Sequence, residues 1–382
     1  DMKVGILNMQ YSRHNYGALL QASALESVVR GILPKAEVEH IDARPKSMKT
    51  PGLVATIRLL IRSFMGGMLG RNPKMPKFGN YEVFSDFRSQ HINLSNRTYY
   101  DYPDFKYEQW KYDLVIVGSD QVFRIKFVKS RAGVFFLRFL PEGCRRIAYA
   151  ASFGVGHWEG EDDPNFTEQI SSDLAKFDAI SVRESSGVKI CRDIFGLEAI
   201  QALDPTLLVG RSYFDSIIEK ADPTITVSDW SLHFISEDAP FIDLVPKFAE
   251  VNRKSFNDIY CAKSRTWPFP AAIHFSSVPE WLMQIRDTKE LVLTDSFHCV
   301  CFSILFEKNF LVFVSEQKGS ERMNSLLSAF GLEDRICRSS EGLEAYARGH
   351  SSIDYSFVSE KLLELRKKSM HYLTNALMAS AS

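Results

Sequence analysis

The chain opens on a short apolar run, KVGILNM (3–9), and continues into ALLQASALESVVRGI (18–32), where apolar residues recur at helical spacing. A second short run, VEHIDAR (38–44), follows. Strand, helix, strand in that order predicts a βαβ unit and a parallel, doubly wound sheet. The pattern returns in YDLVIVGSDQVF (112–123), RRIAYAASFG (145–154), FDAISVRESSGVKIC (177–191) and EAIQALDPTLLV (198–209), each expected as a strand ending in small or polar residues.

A break is expected at GRSYFDSIIEKADP (210–223). Beyond it, TITVSDW (224–230), DIYCA (258–262), ELVLTDS (290–296) and NFLVFVS (309–315) have the pattern of strands. SVPEWLMQIRD (277–287), HCVCFSILFE (298–307) and RMNSLLSAFGL (322–332) have the pattern of helices, as does the long tail 359–380. The expected fold is therefore α/β, with two Rossmann-like domains facing across a cleft: 1–209, 222–352 and a C-terminal helical segment 353–382.

Composition narrows the class. Of 382 residues, 45% are hydrophobic and 24% charged, with a net charge of −1, which excludes a strongly basic nucleic-acid binder and an acidic disordered tail. Six cysteines without a CxxC pair predict buried thiols in a reducing, cytoplasmic setting. The first residues have the pattern of a strand and not of a secretory signal. No run of roughly 18 uncharged apolar residues predicts a membrane span. Segment 52–74 is apolar but carries Arg58, Arg62, Arg71 and Lys74. It fits a basic amphipathic helix on the cytoplasmic membrane surface, and equally a surface helix with its apolar face on the core.

In open parallel sheets, ligands bind beyond the carboxyl ends of the strands. The residues expected there are His14, Asn15, Tyr16 and Gly17; Ser119, Asp120 and Gln121; Ser152 and Gly154; Arg183, Glu184 and Ser185; Asp204; and Asp295, Ser296 and His298. Each alone reads as a helix cap or turn residue. Asn15 and Gly17 precede a helix whose free N–H groups suit an anion or a sugar hydroxyl. Arg183 offers a planar fork for phosphate or carboxylate. His298 is a natural proton carrier, with Asp295 expected to cap its helix or orient its ring. The HCVC run (298–301) lacks paired metal hooks, so no metal is expected, and no nucleotide loop is present.

Seven stretches in order resemble the polysaccharide pyruvyl transferase family: HNYGALLQASAL (14–25), YDLVIVGSDQVF, AASFG (150–154), SVRESSG (181–187), DPTLLV (204–209), LVLTDSFHCVCFSILF (291–306) and RMNSLLSAFGLEDR (322–335). The resemblance implies a two-domain, GT-B-like fold and transfer of pyruvate from phosphoenolpyruvate onto two hydroxyls of a sugar as a cyclic ketal. It implies an acceptor among capsule, exopolysaccharide or cell-wall glycans, often lipid-linked, and no cofactor. Catalytic roles would fall to His298, Asp120 and Asp295. Substrate contacts would fall to Asn15, Tyr16, Gly17, Gln21, Ser119, Arg183, Ser296 and Arg322, with 1–209 on the acceptor side and 222–352 on the donor side; a phosphate contact would fall to Arg183 and Arg322, with Lys263 and Arg265 behind these two. The chain departs from the family's pattern at Ser296, where many members carry arginine, and at Cys299, commonly glycine. Two other classes fit the same pattern: a nucleotide-sugar glycosyltransferase and a non-catalytic glycan-binding component of an assembly complex.

Overall fold

The computed structural model describes residues 2–49, 78–236, 242–264, 272–314, 320–349 and 352–379. Segment 52–74 and Arg265 lie outside the described residues, as does the side chain of Lys263.

The first half is a seven-stranded parallel sheet in the spatial order Leu94–Tyr99, Glu37–Ala43, Lys3–Leu7, Leu114–Val117, Arg145–Ala151, Ala179–Val182, Ile200–Gln201. Strand order reverses between Lys3–Leu7 and Leu114–Val117, as in a Rossmann sheet. Alternation decides which face each residue serves. Leu114 and Ile116 pack with Val4, Ile6, Leu25 and Val29, whereas Val115 and Val117 pack with Phe123, Phe135 and Ile170. With both faces covered, the central strands Lys3–Leu7 and Leu114–Val117 are apolar almost throughout, whereas Glu37–Ala43 and Leu94–Tyr99 toward the edge carry polar residues.

The second half is a five-stranded parallel sheet, ordered Phe256–Asp258, Trp230–His233, Leu291–Thr294, Phe310–Phe313, Ile336–Cys337. Its order reverses between Trp230–His233 and Leu291–Thr294. A small third sheet ties the halves together: Phe78–Gly79 pairs in parallel with Ala272–His274, which pairs antiparallel with Ala262–Ser264. The architecture is the expected one, two Rossmann-like halves and a long C-terminal helix.

That helix, Tyr355–Met378, spans both halves. Its Val358 and Leu362 join the core of the second half, and Leu373, Ala376 and Leu377 pack under the first sheet. Arg145 donates to the carbonyls of Ala376 and Leu377, which closes the last turn with a charged side chain from the first sheet.

Several elements differ from the sequence pattern. The stretch 198–209 is a two-residue strand and then a helix, Pro205–Val209. Asp204 caps that helix by accepting from Thr206 N at 3.0 Å, and Pro205 occupies its first turn without needing a donor. The strand expected at 224–230 begins only at Trp230 and runs to His233. The stretch 258–262 falls between two strands, Phe256–Asp258 and Ala262–Ser264. The break at 210–223 contains a helix, Arg211–Ile218.

All six cysteines are unpaired and buried. Among the described residues, no helix is long and apolar enough to cross a membrane.

Candidate active site

The carboxyl ends of both sheets meet where the chain passes from Asn15 into the Tyr16–Ile32 helix. Asn15 caps this helix, its Oδ1 accepting from Ala18 N at 3.3 Å. Tyr16 reaches across into the second half. Its ring stacks on Trp281 with centroids 4.6 Å apart, and its hydroxyl donates to Ser276 O at 2.6 Å. Gly17 lies directly against His298: a Cβ at Gly17 would stand 2.1 Å from His298 Nδ1 and 2.5 Å from His298 Cβ. Only glycine lets the two helices approach so closely.

His298 occupies the first turn of the Phe297–Leu305 helix, which begins beyond the Leu291–Thr294 strand. Ser296 is the N-cap, its Oγ accepting from Cys299 N at 3.3 Å. The His298 imidazole is buried, and Nε2 lies 3.2 Å from Asp204 Oδ2. That same carboxylate oxygen accepts from Arg183 Nη1 at 2.6 Å. Arg183 Nη2 donates in turn to Asp120 Oδ1 at 3.3 Å. The result is a buried chain, Asp120–Arg183–Asp204–His298, contributed by the ends of three strands of one sheet and one helix of the other half.

Asp204 divides its work between its oxygens. Oδ1 caps its own helix and accepts from the Thr206 hydroxyl at 2.7 Å, while Oδ2 meets both Arg183 and His298. Burial opposes its ionisation, but the charge and hydrogen bond of His298, together with Arg183, outweigh it and hold the carboxyl below the usual range. Asp120 is also buried and, despite that, is lowered by Arg183, His298 and Arg322. Its backbone lies in the left-handed region at φ 70°, which aspartate tolerates better than most residues.

Phe297 lines the cationic side. The guanidinium carbon of Arg183 stands 4.3 Å from the ring centroid and that of Arg322 5.7 Å. Arg322 has no ion pair among the described residues; burial and the like charge of Arg183 push its pKa down to about 10. Nε of both arginines lacks a hydrogen-bond partner among the described residues. Glu184 accepts from the Ser152 hydroxyl, and burial raises its pKa although Arg183 works against that rise.

The remaining expected residues fall into two groups. Gln21 and Ser119 are fully buried and bond to each other, Gln21 Oε1 accepting from Ser119 N at 3.2 Å, so they brace the floor of the site. Asp295 neither caps the Phe297–Leu305 helix nor meets the imidazole. Its carboxylate accepts from Ile235 N at 2.7 Å and Ser236 N at 2.9 Å and holds the loop after Trp230–His233. The cap is Ser296 and the imidazole's partner is Asp204. The sequence pattern puts Asp204 at a strand end and assigns it no role, because an aspartate there reads as a cap or turn residue, and a cap is half of what it is.

His233 and Trp281 also face the junction and carried no signal. With Asn15, Tyr16, Gly17 and Ser296 they line a narrow crevice between the halves. Among the described residues, no group of three or more His, Cys, Asp or Glu could hold a metal ion.

Among solved structures, the chain is similar to Arabidopsis thaliana UGT89C1, with 10% identity over 96% of this chain and 94% of that chain at a TM-score of 0.46. It is similar also to the glycosyltransferase SsfS6 of Streptomyces sp. SF2575, solved with thymidine diphosphate, with 10% identity over 97% and 96% of the two chains at a TM-score of 0.42. No curated protein matches the sequence. The sequence model of one family spans both halves of the site, from Asn15 through the His298 helix, matching residues 15–317. The chain belongs to the polysaccharide pyruvyl transferase family and is a transferase.

Proposed function

We propose that the protein transfers pyruvate from phosphoenolpyruvate onto two hydroxyls of one sugar in a bacterial surface polysaccharide or its lipid-linked precursor, forming a cyclic ketal and releasing phosphate. The observation that carries this reading is the joining of Arg183, Arg322 and His298 around Phe297 and Asp204 at the ends of both sheets. Phosphoenolpyruvate bears two anionic groups and an enol carbon that must be protonated, so it asks for cations beside a proton carrier.

The methylene carbon gains a proton and the middle carbon becomes cation-like. One sugar hydroxyl attacks it, phosphate leaves, and the second hydroxyl closes the ketal. Of the two hydroxyl protons, one balances the new methyl group and the other leaves with phosphate. His298 carries the proton. Asp204 accepts from the imidazole and holds the ring in place. Arg183, matched by two carboxylates, positions Asp204 and Asp120. Arg322, without an ion pair among the described residues, contacts an anionic group of the donor. Asn15, Tyr16, Gly17 and Ser296 face the acceptor. The reaction belongs on the cytoplasmic side, with segment 52–74 resting on the inner membrane beside a lipid-linked acceptor.

Phosphate release from phosphoenolpyruvate in the presence of a glycan acceptor tests the reading. Activity should fall by at least a hundredfold in His298→Ala, and by a similar factor in folded Arg183→Ala. Near wild-type turnover in both folded variants overturns the roles. A melting temperature raised by nucleotide sugars and indifferent to phosphoenolpyruvate replaces the reaction with glycosyl transfer.

A further inference from the structure

The crevice between the halves contains two buried polar atoms that the chemistry above leaves unused. His233 ends the Trp230–His233 strand, at the point where strand order reverses in the second sheet. It is 2% exposed, and its Nε2 has no hydrogen-bond partner among the described residues. Trp281, 0% exposed, leaves its Nε1–H equally unpartnered. The two ring centroids are 5.3 Å apart, and both residues line the crevice.

The hydrogen-bond network fixes what His233 offers. Thr294 Oγ1 donates its single proton to His233 O at 2.7 Å and accepts from Ser296 N at 3.0 Å. It also stands 3.4 Å from His233 Nδ1. With its proton already committed, Thr294 can only accept there, so Nδ1 carries the hydrogen and Nε2 is a bare acceptor. Burial supports the neutral ring by lowering its pKa to about 3. The site thus presents one acceptor and one donor, each desolvated and each unmet among the described residues. Such a pair is costly to leave empty.

We infer that His233 and Trp281 form a hydroxyl-recognition subsite that takes a hydroxyl-bearing edge of the acceptor saccharide, the hydroxyl donating to His233 Nε2 and accepting from Trp281 Nε1–H. A hydroxyl is the group that does both at one oxygen, whereas phosphate or carboxylate would meet a bare lone pair at His233. The crevice draws its walls from both halves, Asn15 to Gly17 on one side and His233, Trp281 and Ser296 on the other. The inference rests on the proposed transfer to a sugar hydroxyl and adds where the sugar is recognised.

The test separates the two. Saturation-transfer NMR is recorded on the full chain with methyl β-D-glucopyranoside, methyl β-D-galactopyranoside and methyl α-D-mannopyranoside. Phosphoenolpyruvate binding is followed separately by thermal shift. His233→Asn keeps a donor toward Thr294 and removes the Nε2 position, whereas His233→Gln places an amide oxygen near it. Trp281→Phe removes only the N–H and part of the ring. At least one glycoside should bind wild type, bind about tenfold more weakly to His233→Asn and Trp281→Phe, and recover in His233→Gln. The phosphoenolpyruvate shift should stay unchanged in all three, which also shows them folded. If no glycoside binds wild type, or if glycoside binding ignores His233→Asn, the inference falls and the pair holds a water instead. If the variants weaken phosphoenolpyruvate and spare the glycosides, the crevice belongs to the donor and the inference likewise falls. Glycoside binding that depends on His233 in a protein indifferent to phosphoenolpyruvate would overturn the pyruvyl donor and leave this subsite standing.

Discussion

Gly17 and His298 are in contact across the two halves of the molecule, with the imidazole filling the space that any larger residue at position 17 would need. The contact fixes where the second sheet's histidine stands relative to the first sheet's carboxylates. It also makes the close approach of two helices a condition of the site.

Gly17→Ala should therefore strike structure and activity together. The added methyl must displace the ring, at a cost of about 1–3 kcal/mol for overpacking. Removing the ring in Gly17→Ala/His298→Ala should return part of that stability, since the contact to His298 Cβ remains. Urea unfolding of the two single variants and the double variant measures the coupling.

Asp204→Asn keeps the shape and the helix cap but leaves Arg183 and His298 without their shared charge. Breaking a buried pair of this kind costs about 3–5 kcal/mol. Because Asp204 has a folded pKa below the unfolded value of about 3.9, its contribution is complete above that pH and is lost as pH falls below it. Wild type should lose stability steeply below about pH 4, and Asp204→Asn, already weakened, should lose less over the same interval. Denaturant unfolding between neutral and acid pH reads both slopes.

Asp295→Ala should act on the loop at Ile235 and Ser236 rather than on proton transfer. The loss of two charge-assisted acceptor contacts predicts a stability drop of about 1–3 kcal/mol. The pH dependence of kcat should keep its wild-type shape, whereas Asp204→Asn should change it. Parallel pH–rate profiles distinguish the two aspartates.

Arg322→Gln and Arg183→Lys should separate binding from architecture. Arg322 carries a charge that burial and Arg183 oppose, so its removal should leave the melting temperature equal or higher while raising the KM for phosphoenolpyruvate about tenfold or more. Arg183 reaches two carboxylates through two nitrogens, which lysine cannot reproduce. Arg183→Lys should lower the melting temperature as well as kcat.

The sequence by itself determined the two parallel sheets, because short apolar runs alternating with helical periods have few other ways to bury their surface. It also marked Asn15, Asp120, Arg183 and His298, since strand ends can be located from where apolar runs stop. The two-residue strand Ile200–Gln201 and the late start at Trp230 were not legible: short edge pairing and strand boundaries depend on the neighbour across the sheet. Which carboxylate meets His298 was decided only in three dimensions. Asp295 is three residues away in the chain, yet its oxygens are taken by backbone amides of the neighbouring loop. Asp204, 94 positions away, arrives because its strand and its capped helix point it into the junction. Likewise the sequence marks Gly17 as a place of close approach before a helix, and only the packing of two helices makes the approaching group the His298 imidazole. Sequence spacing fixes neighbours within an element; the contacts between elements, and so the chemistry they share, follow from packing.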